Sequence, residues 1–171
     1  LVNALVNRGA ANWLIDRMGP AYADLDRAIA LDPRNGRAFR ERANAFRSEN
    51  KLDRALSDAT EAVRLNPKDA EAFDVRGNVL SNKGEYDRAI AEYDAALKLD
   101  PKFSMAWRDR GAAYYFKKDY ERAIGDYDEA IRIDPRSDRA FSNRAAAWAK
   151  LGRIDRAIAD ESQAIRIDDK V

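Results

Sequence analysis

Five arginines, Arg8, Arg42, Arg76, Arg110 and Arg144, recur every 34 residues, and sixteen residues after each stands an acid: Asp24, Asp58, Glu92, Asp126 and Asp160. Two chemistries suit such a set. A row of guanidiniums can bind an extended anion, because each presents a rigid fork of donors that fits a carboxylate or phosphate. Alternatively each guanidinium closes on its own acid and leaves little charge to spare. The second reading is preferred, since every repeat supplies the matching carboxylate and a partly buried charge needs a partner.

Other chemistry is poorly equipped. The 171-residue chain has no His and no Cys, which removes the imidazole proton shuttle, thiolate nucleophiles, disulfides and the commonest metal ligands. Proton transfer would have to rest on carboxylates, Lys, Tyr or Ser. No phosphate-cradling glycine loop, no metal-ligand spacing and no nucleophile-base set stands in the sequence. The expectation is a protein that is no enzyme, holds no metal and uses no cofactor.

Lys plus Arg total 31 against 30 for Asp plus Glu, a formal net charge of +1, so no general field draws the chain to nucleic acid or to an acidic membrane surface. A composition 46% hydrophobic and 36% charged suffices for a packed core. The longest uncharged stretches, residues 1–7 and 9–15, are seven residues each, while a membrane span needs roughly 20 apolar residues. No span is expected. Absence of Cys fits cytosol and periplasm alike, which leaves the compartment open. The chain begins at Leu1, inside an apolar helical pattern and without an initiator Met, so an upstream segment is expected to have been removed.

The elements that position the arginines follow from the period. Leu31-Asp32-Pro33, Leu65-Asn66-Pro67, Leu99-Asp100-Pro101 and Ile133-Asp134-Pro135 recur at an interval of 34, and Ile167-Asp168-Asp169 takes the same place without the proline. Residues 2–35, 36–69, 70–103, 104–137 and 138–171 therefore align without a gap, as one domain of five repeats. In each repeat a large residue (Leu5, Phe39, Phe73, Trp107, Phe141) is followed four places on by a small one (Gly9, Ala43, Gly77, Gly111, Ala145), which keeps both on one helix face. A second helix carries Ala21, Ala55, Ala89, Ala123 and Ala157, then Ala28, Ala62, Ala96, Ala130 and Ala164. Paired alanines at helical spacing imply a neighbouring helix too close for anything larger.

Turns fall between these helices. Asn50, Gly84 and Gly152 occupy equivalent places and tolerate the left-handed conformation that often ends a helix; Asp16 and Lys118 hold that place in the other two repeats. Pro33, Pro67, Pro101 and Pro135 then stop the second helix. Asn35, Asp69 and Ser137 stand where a cap would open the next first helix. Ten short helices in antiparallel pairs result.

The run Trp107-x2-Arg110-Gly111-x2-Tyr114, with Ala123-x3-Tyr127 and Pro135, resembles the tetratricopeptide signature, and the other repeats keep most of it. The resemblance covers nearly the whole chain. It implies an all-α, right-handed superhelical solenoid of antiparallel helix pairs whose first helices line a concave groove, with a peptide or helix of another protein as the usual ligand. The family commonly has Leu where this chain has its five arginines. In a hairpin each arginine and the acid sixteen residues on are equidistant from the turn, so five side-by-side ion pairs are expected.

By the family's geometry the groove is lined by Arg37, Arg40, Asn44 and Arg47 in the second repeat, Glu71, Asp74, Asn78 and Ser81 in the third, Met105, Arg108, Ala112 and Tyr115 in the fourth, and Arg139, Ser142, Ala146 and Ala149 in the fifth. Signs alternate along it, which suits one mixed-charge extended peptide better than a polyanion. Arg40 and Asn44 match the start of the carboxylate clamp of heat-shock co-chaperones, but Val75, Met105 and Asp109 at the remaining places cannot complete it. Trp107, Tyr114 and Trp148 fall on the core stripe and are expected to pack. Trp13, Leu14 and Ile15 replace the polar turn residues of the other repeats and could form an apolar patch for self-association. Glu161 stands where other repeats carry Leu25, Tyr93 and Tyr127, reading as a stop, and Ile158 and Ile165 are expected to lie bare. The leading functional expectation is an interaction scaffold for another protein; the alternative is an assembly module that self-associates into a homo-oligomer through its terminal repeats. Nucleic acid is not an expected partner, given the acidic Glu71 and Asp74 in mid-groove.

Overall fold

The computed structural model describes residues 1–168, and among them all regular structure is helical, with no strand. Ten helices follow in order: α1 (Val2–Leu14), α2 (Met18–Leu31), α3 (Gly36–Ser48), α4 (Leu52–Leu65), α5 (Ala70–Asn82), α6 (Tyr86–Leu99), α7 (Ser104–Phe116), α8 (Tyr120–Ile133), α9 (Asp138–Lys150) and α10 (Ile154–Asp168). First helices begin at residues 2, 36, 70, 104 and 138 and second helices at 18, 52, 86, 120 and 154, so the period read from the sequence is kept without slippage. Contacts divide the chain into two compact units, Leu1–Gly84 with α1 to α5 and Glu85–Val171 with α6 to α10.

Each helix is 13 to 15 residues long, a length at which an isolated helix is marginal in water, so packing of the apolar face supplies most of the stability. The starts are built locally. Asn35 accepts from the Ala38 amide, Asp69 from the Glu71 and Ala72 amides, and Ser137 from the Ala140 amide, as expected; Asp119 also caps α8 through the Arg122 amide. Ends are equally local. Asp32, Asn66, Asp100 and Asp134, each before a proline, leave helical geometry, because the proline ring crowds the preceding residue out of the α region. Their side chains then accept from Arg34, Lys68, Lys102 and Arg136 amides, closing the turn.

The middle turns all carry one residue at positive φ: Asp16 (60°), Asn50 (58°), Gly84 (77°), Lys118 (64°) and Gly152 (72°). The backbone of this turn is thus the same whether or not the residue suits it.

Within the first unit, α1 pairs with α2 and α3 with α4, and the first helices α1, α3 and α5 lie side by side. In the second unit α7 pairs with α8 and α9 with α10, and α7 neighbours α9. Alanines make the seams: Ala38, Ala43, Ala45, Ala55, Ala59, Ala106, Ala113, Ala123, Ala140 and Ala147 are all fully or almost fully buried. Larger side chains fill what remains. Leu25 and Tyr127 are fully buried and lie over Gly9 and Gly111, where an added Cβ would come within 2.7 and 2.8 Å of them. A glycine on the first helix thus makes room for a bulky residue on the second.

Candidate functional site

The arginine ladder is internal. Arg8 closes on Asp24 through Nε and Nη2, both at 2.7 Å; Arg42 on Asp58 at 2.7 and 2.9 Å; Arg110 on Asp126 at 2.9 and 2.7 Å; and Arg144 on Asp160 at 2.8 and 2.7 Å. Two parallel N–H to oxygen bonds on a buried carboxylate are the strong form of this pair. These four aspartates are buried, and the guanidiniums of Arg42, Arg110 and Arg144 lie over the rings of Phe39, Trp107 and Phe141. Arg76 belongs to the first unit, where its guanidinium lies over the Phe73 ring, and Glu92 to the second.

A second acid, which spacing could have revealed, completes the arrangement. The remaining nitrogen of Arg42, Nη1, reaches Asp26 on the preceding second helix at 2.6 Å; Arg110 reaches Asp94 at 2.6 Å and Arg144 reaches Asp128 at 2.5 Å. Each of these acids follows the first by two residues (Asp24-x-Asp26, Glu92-x-Asp94, Asp126-x-Asp128), so the signal was an acid doublet. Hydrogen bonding to Asp58 and Asp26 pushes the Arg42 guanidinium above its ordinary range against the effect of burial. The Arg110 guanidinium rises likewise, chiefly through Asp126. Burial in turn pushes the Asp126 carboxyl up, with Arg110 opposing and Asp94 adding to it. These guanidiniums are committed to structure.

The surface of the first-helix layer is different. In the first unit α3 and α5 bring their expected groove residues together: Arg40 donates to both oxygens of Asp69 at 3.1 and 2.8 Å and pairs with Glu71 at 2.7 Å and Glu41 at 3.2 Å. Its side chain is only 11% exposed. Burial works against the Arg40 charge, but Asp69, Glu41 and Glu71 outweigh it and hold the guanidinium above its usual range. Arg40 is thus no free anion receptor. Arg37 is exposed, with Glu41 4.0 Å away; Asn44 and Arg47 are half-buried. Asp74 is buried and accepts from the Asn78 amide at 3.0 Å.

In the second unit Met105 and Arg139 are exposed, and Arg108 turns to Asp109 at 2.8 Å. Tyr115 is half-buried and meets Phe116 and Tyr120 edge-on. Ser142 donates to Glu161 of α10 at 2.8 Å. The core aromatics pack under cations: Arg110 over Trp107, Arg122 over Tyr114 and Arg156 over Trp148, each 4.6 Å from the ring centre.

At the ends of the chain, Leu14 and Ile15 are exposed as expected, whereas Trp13 is half-buried with its indole nitrogen shielded from solvent. Ile158 and Ile165 lie bare, beside an open apolar hollow of about 370 Å³ lined by Ala145, Ala149, Ala157 and Ile165. Among the described residues no group of three or more carboxylates is gathered to hold a metal ion. No described helix is long and apolar enough to cross a membrane.

The tetratricopeptide repeat family model matches residues 21–70, 75–138 and 119–170. No curated protein matches the chain. Among solved structures it is similar to TTC0263, a thermophilic protein of this repeat class from Thermus thermophilus, at a TM-score of 0.87 and 18% identity over 97% of this chain and 91% of that one. MamA is similar at a TM-score of 0.77 and 21% identity over 95% of both chains. YrrB, described as a repeat protein with an unusual peptide-binding site, is similar at a TM-score of 0.68 and 20% identity over 95% of this chain and 84% of that one.

Proposed function

The chain belongs to the tetratricopeptide repeat family, and from that premise we propose that it is an interaction scaffold holding an extended, mixed-charge peptide or a helix of another protein against its first helices, without a catalytic step or a cofactor. One observation carries the reading. On the α3–α5 surface Arg37 is exposed and only loosely held by Glu41 at 4.0 Å, Asn44 and Arg47 are half-buried, and Arg40, Asp69 and Glu71 neutralise one another between them. A surface of this kind offers separate charged and amide contacts on a rigid backbone, which gives register and selectivity to a bound strand of peptide. The peptide-binding site ascribed to YrrB is consistent with it.

The proposal excludes a polyanion as ligand, because Glu71 and the other acids around Arg40 repel phosphates. Its test is selection of peptides from a displayed random library followed by titration calorimetry of the best binder. Arg37→Glu combined with Arg47→Glu is expected to weaken that peptide by about tenfold or more, and the exposed Arg37→Glu alone is expected to weaken it while leaving the thermal melt in place. Equal affinity in the double variant, or no peptide selected, refutes the reading.

A further inference from the structure

Arg47 differs from its neighbours on α3. Arg40 closes on Asp69 and Glu71, and Arg42 on Asp58 and Asp26. Arg47 is half-buried, and its Nε is shielded from solvent yet meets no acceptor among the described residues. Glu49, the acid two residues on, is taken up by Tyr22 and Lys51.

A second donor shares this condition. Trp13 holds the position in α1 that Arg47 holds in α3, 34 residues on, and its indole nitrogen is likewise buried without an acceptor. Helices α1 and α3 lie side by side, and helices in contact run about 8 to 10 Å apart, a gap that an indole and a guanidinium span between them. The state of Trp13 does not come from its being in the first repeat. Ala38 on Leu25 and Ala28, and Ala147 on Ala123 and Ile124, mark the side of a first helix that meets the second helix before it. In α1 that side is marked by Ala11, the counterpart of Ala147, and Trp13 stands two residues, about 200°, round the helix from it. In the later repeats the position holds Ser81, Tyr115 and Ala149; Tyr115 is engaged by Phe116 and Tyr120, and alanine has no donor. The two nitrogen donors are therefore a feature of α1 and α3 and not of the repeat as such.

Buried N–H groups are almost always bonded in folded proteins, and one left over is costly. A half-buried cation without an anion adds to that cost. Both are relieved when an acceptor of opposite charge arrives. We propose that Trp13 and Arg47 together receive the side-chain carboxylate of a Glu in the bound peptide, one oxygen accepting from the indole N–H and the other from the guanidinium, an inference that rests on the peptide-binding function proposed for this surface. A carboxylate brings two oxygens to two donors. Because the donors are sheltered, it has to project inward from the peptide backbone, which a Glu side chain does on two methylenes and a chain terminus does not. Glu41 and Glu71 on the same helix layer turn away a more highly charged phosphate.

Proton–nitrogen NMR of the full chain reads both donors directly, as the Trp13 indole and Arg47 Nε signals. N-acetylglutamic acid α-amide at tens of millimolar is expected to move both signals, N-acetylglutamine amide neither, and Arg47→Met to abolish the response of Trp13. Peptides selected on the chain are expected to carry a Glu whose exchange for Gln costs about tenfold in affinity for the wild type and nothing for the Arg47→Met variant, while amidation of the peptide C-terminus costs nothing. Stationary signals with the glutamic acid compound, equal responses to the glutamine compound, or a loss on amidation in place of a loss on the Gln exchange overturns the assignment. Peptides that Arg37→Glu weakens but that ignore Trp13→Phe and Arg47→Met leave the interaction scaffold standing and sink this inference alone. If no peptide is selected the scaffold reading falls, and the NMR titration still decides the carboxylate site.

Discussion

Arg110 holds two aspartates that stand sixteen residues to either side of it: Asp126 through Nε and Nη2 at 2.9 and 2.7 Å, and Asp94 through Nη1 at 2.6 Å. Asp126 belongs to the paired helix α8 and Asp94 to α6 before it, so one side chain joins three helices. Such a pair contributes little net stability when intact, since desolvation offsets attraction, but without Asp126 the Nε and Nη2 donors of Arg110 lose their acceptor and only Nη1 stays on Asp94.

Asp126→Ala is therefore expected to destabilise the chain by about 1 to 3 kcal/mol, and adding Arg110→Met is expected to recover part of that loss. Denaturant melts of the two variants decide it. A double variant less stable than the single one would mean that Arg110 still stabilises the chain through Asp94 and the Trp107 ring once Asp126 is gone.

Gly111→Ala places a methyl 2.8 Å from the Tyr127 ring and 3.1 Å from the Ala123 carbonyl oxygen. Overpacking of this size costs about 1 to 3 kcal/mol, and the loss is expected to be less than additive with Tyr127→Ala. Gly125 is the control: no side-chain or distant backbone atom lies within 4 Å of its added Cβ, so Gly125→Ala is expected to raise stability by up to about 1 kcal/mol through helix propensity.

Lys118 sits at φ 64° in a turn where two other repeats use glycine. Left-handed backbone costs an L-residue about 1 to 2 kcal/mol, part of which glycine returns as unfolded-state entropy. Lys118→Gly is accordingly expected to raise the thermal midpoint slightly. A lower midpoint would show that the lysine side chain itself stabilises the turn by more than its backbone conformation costs.

Acid is expected to weaken the fold in a defined window. Asp24 is held below its ordinary value of 3.8 by Arg8, Asp53 by Lys83 and Asp119 by Arg122, and Glu49 and Glu61 lie below 4.5 through Lys51 and Arg64. Carboxyls lowered in the folded state contribute stability above the unfolded value, and that stability is lost as pH falls through the folded value. Asp126, raised by burial, runs the other way and softens the effect. The thermal midpoint is expected to hold from pH 7 to about 4.5 and to fall below it, less steeply in high salt because most of these pairs are exposed. A midpoint that rises on acidification contradicts these assignments.

Repetition made most of the fold legible. Thirty-four residues between successive prolines, with Asn35, Asp69 and Ser137 just after them, mark helix ends through local sterics and hydrogen bonds, and local causes survive without knowledge of distant contacts. The Arg8–Asp24 and Arg42–Asp58 pairs were readable for the same reason, since a hairpin of constant length converts spacing into height. Other features depended on neighbours that spacing does not count. Arg40 reads as a free groove cation, yet α5 packs beside α3 and delivers Asp69 and Glu71 to it; Ser142 reads as a ligand contact, yet α10 offers it Glu161. Trp13 reads as part of an exposed patch and is half-buried. Period and capping act along the chain and are written in it, whereas the share of charge left over for a partner is fixed by which side chains arrive from the adjacent helix, and that is a property of packing.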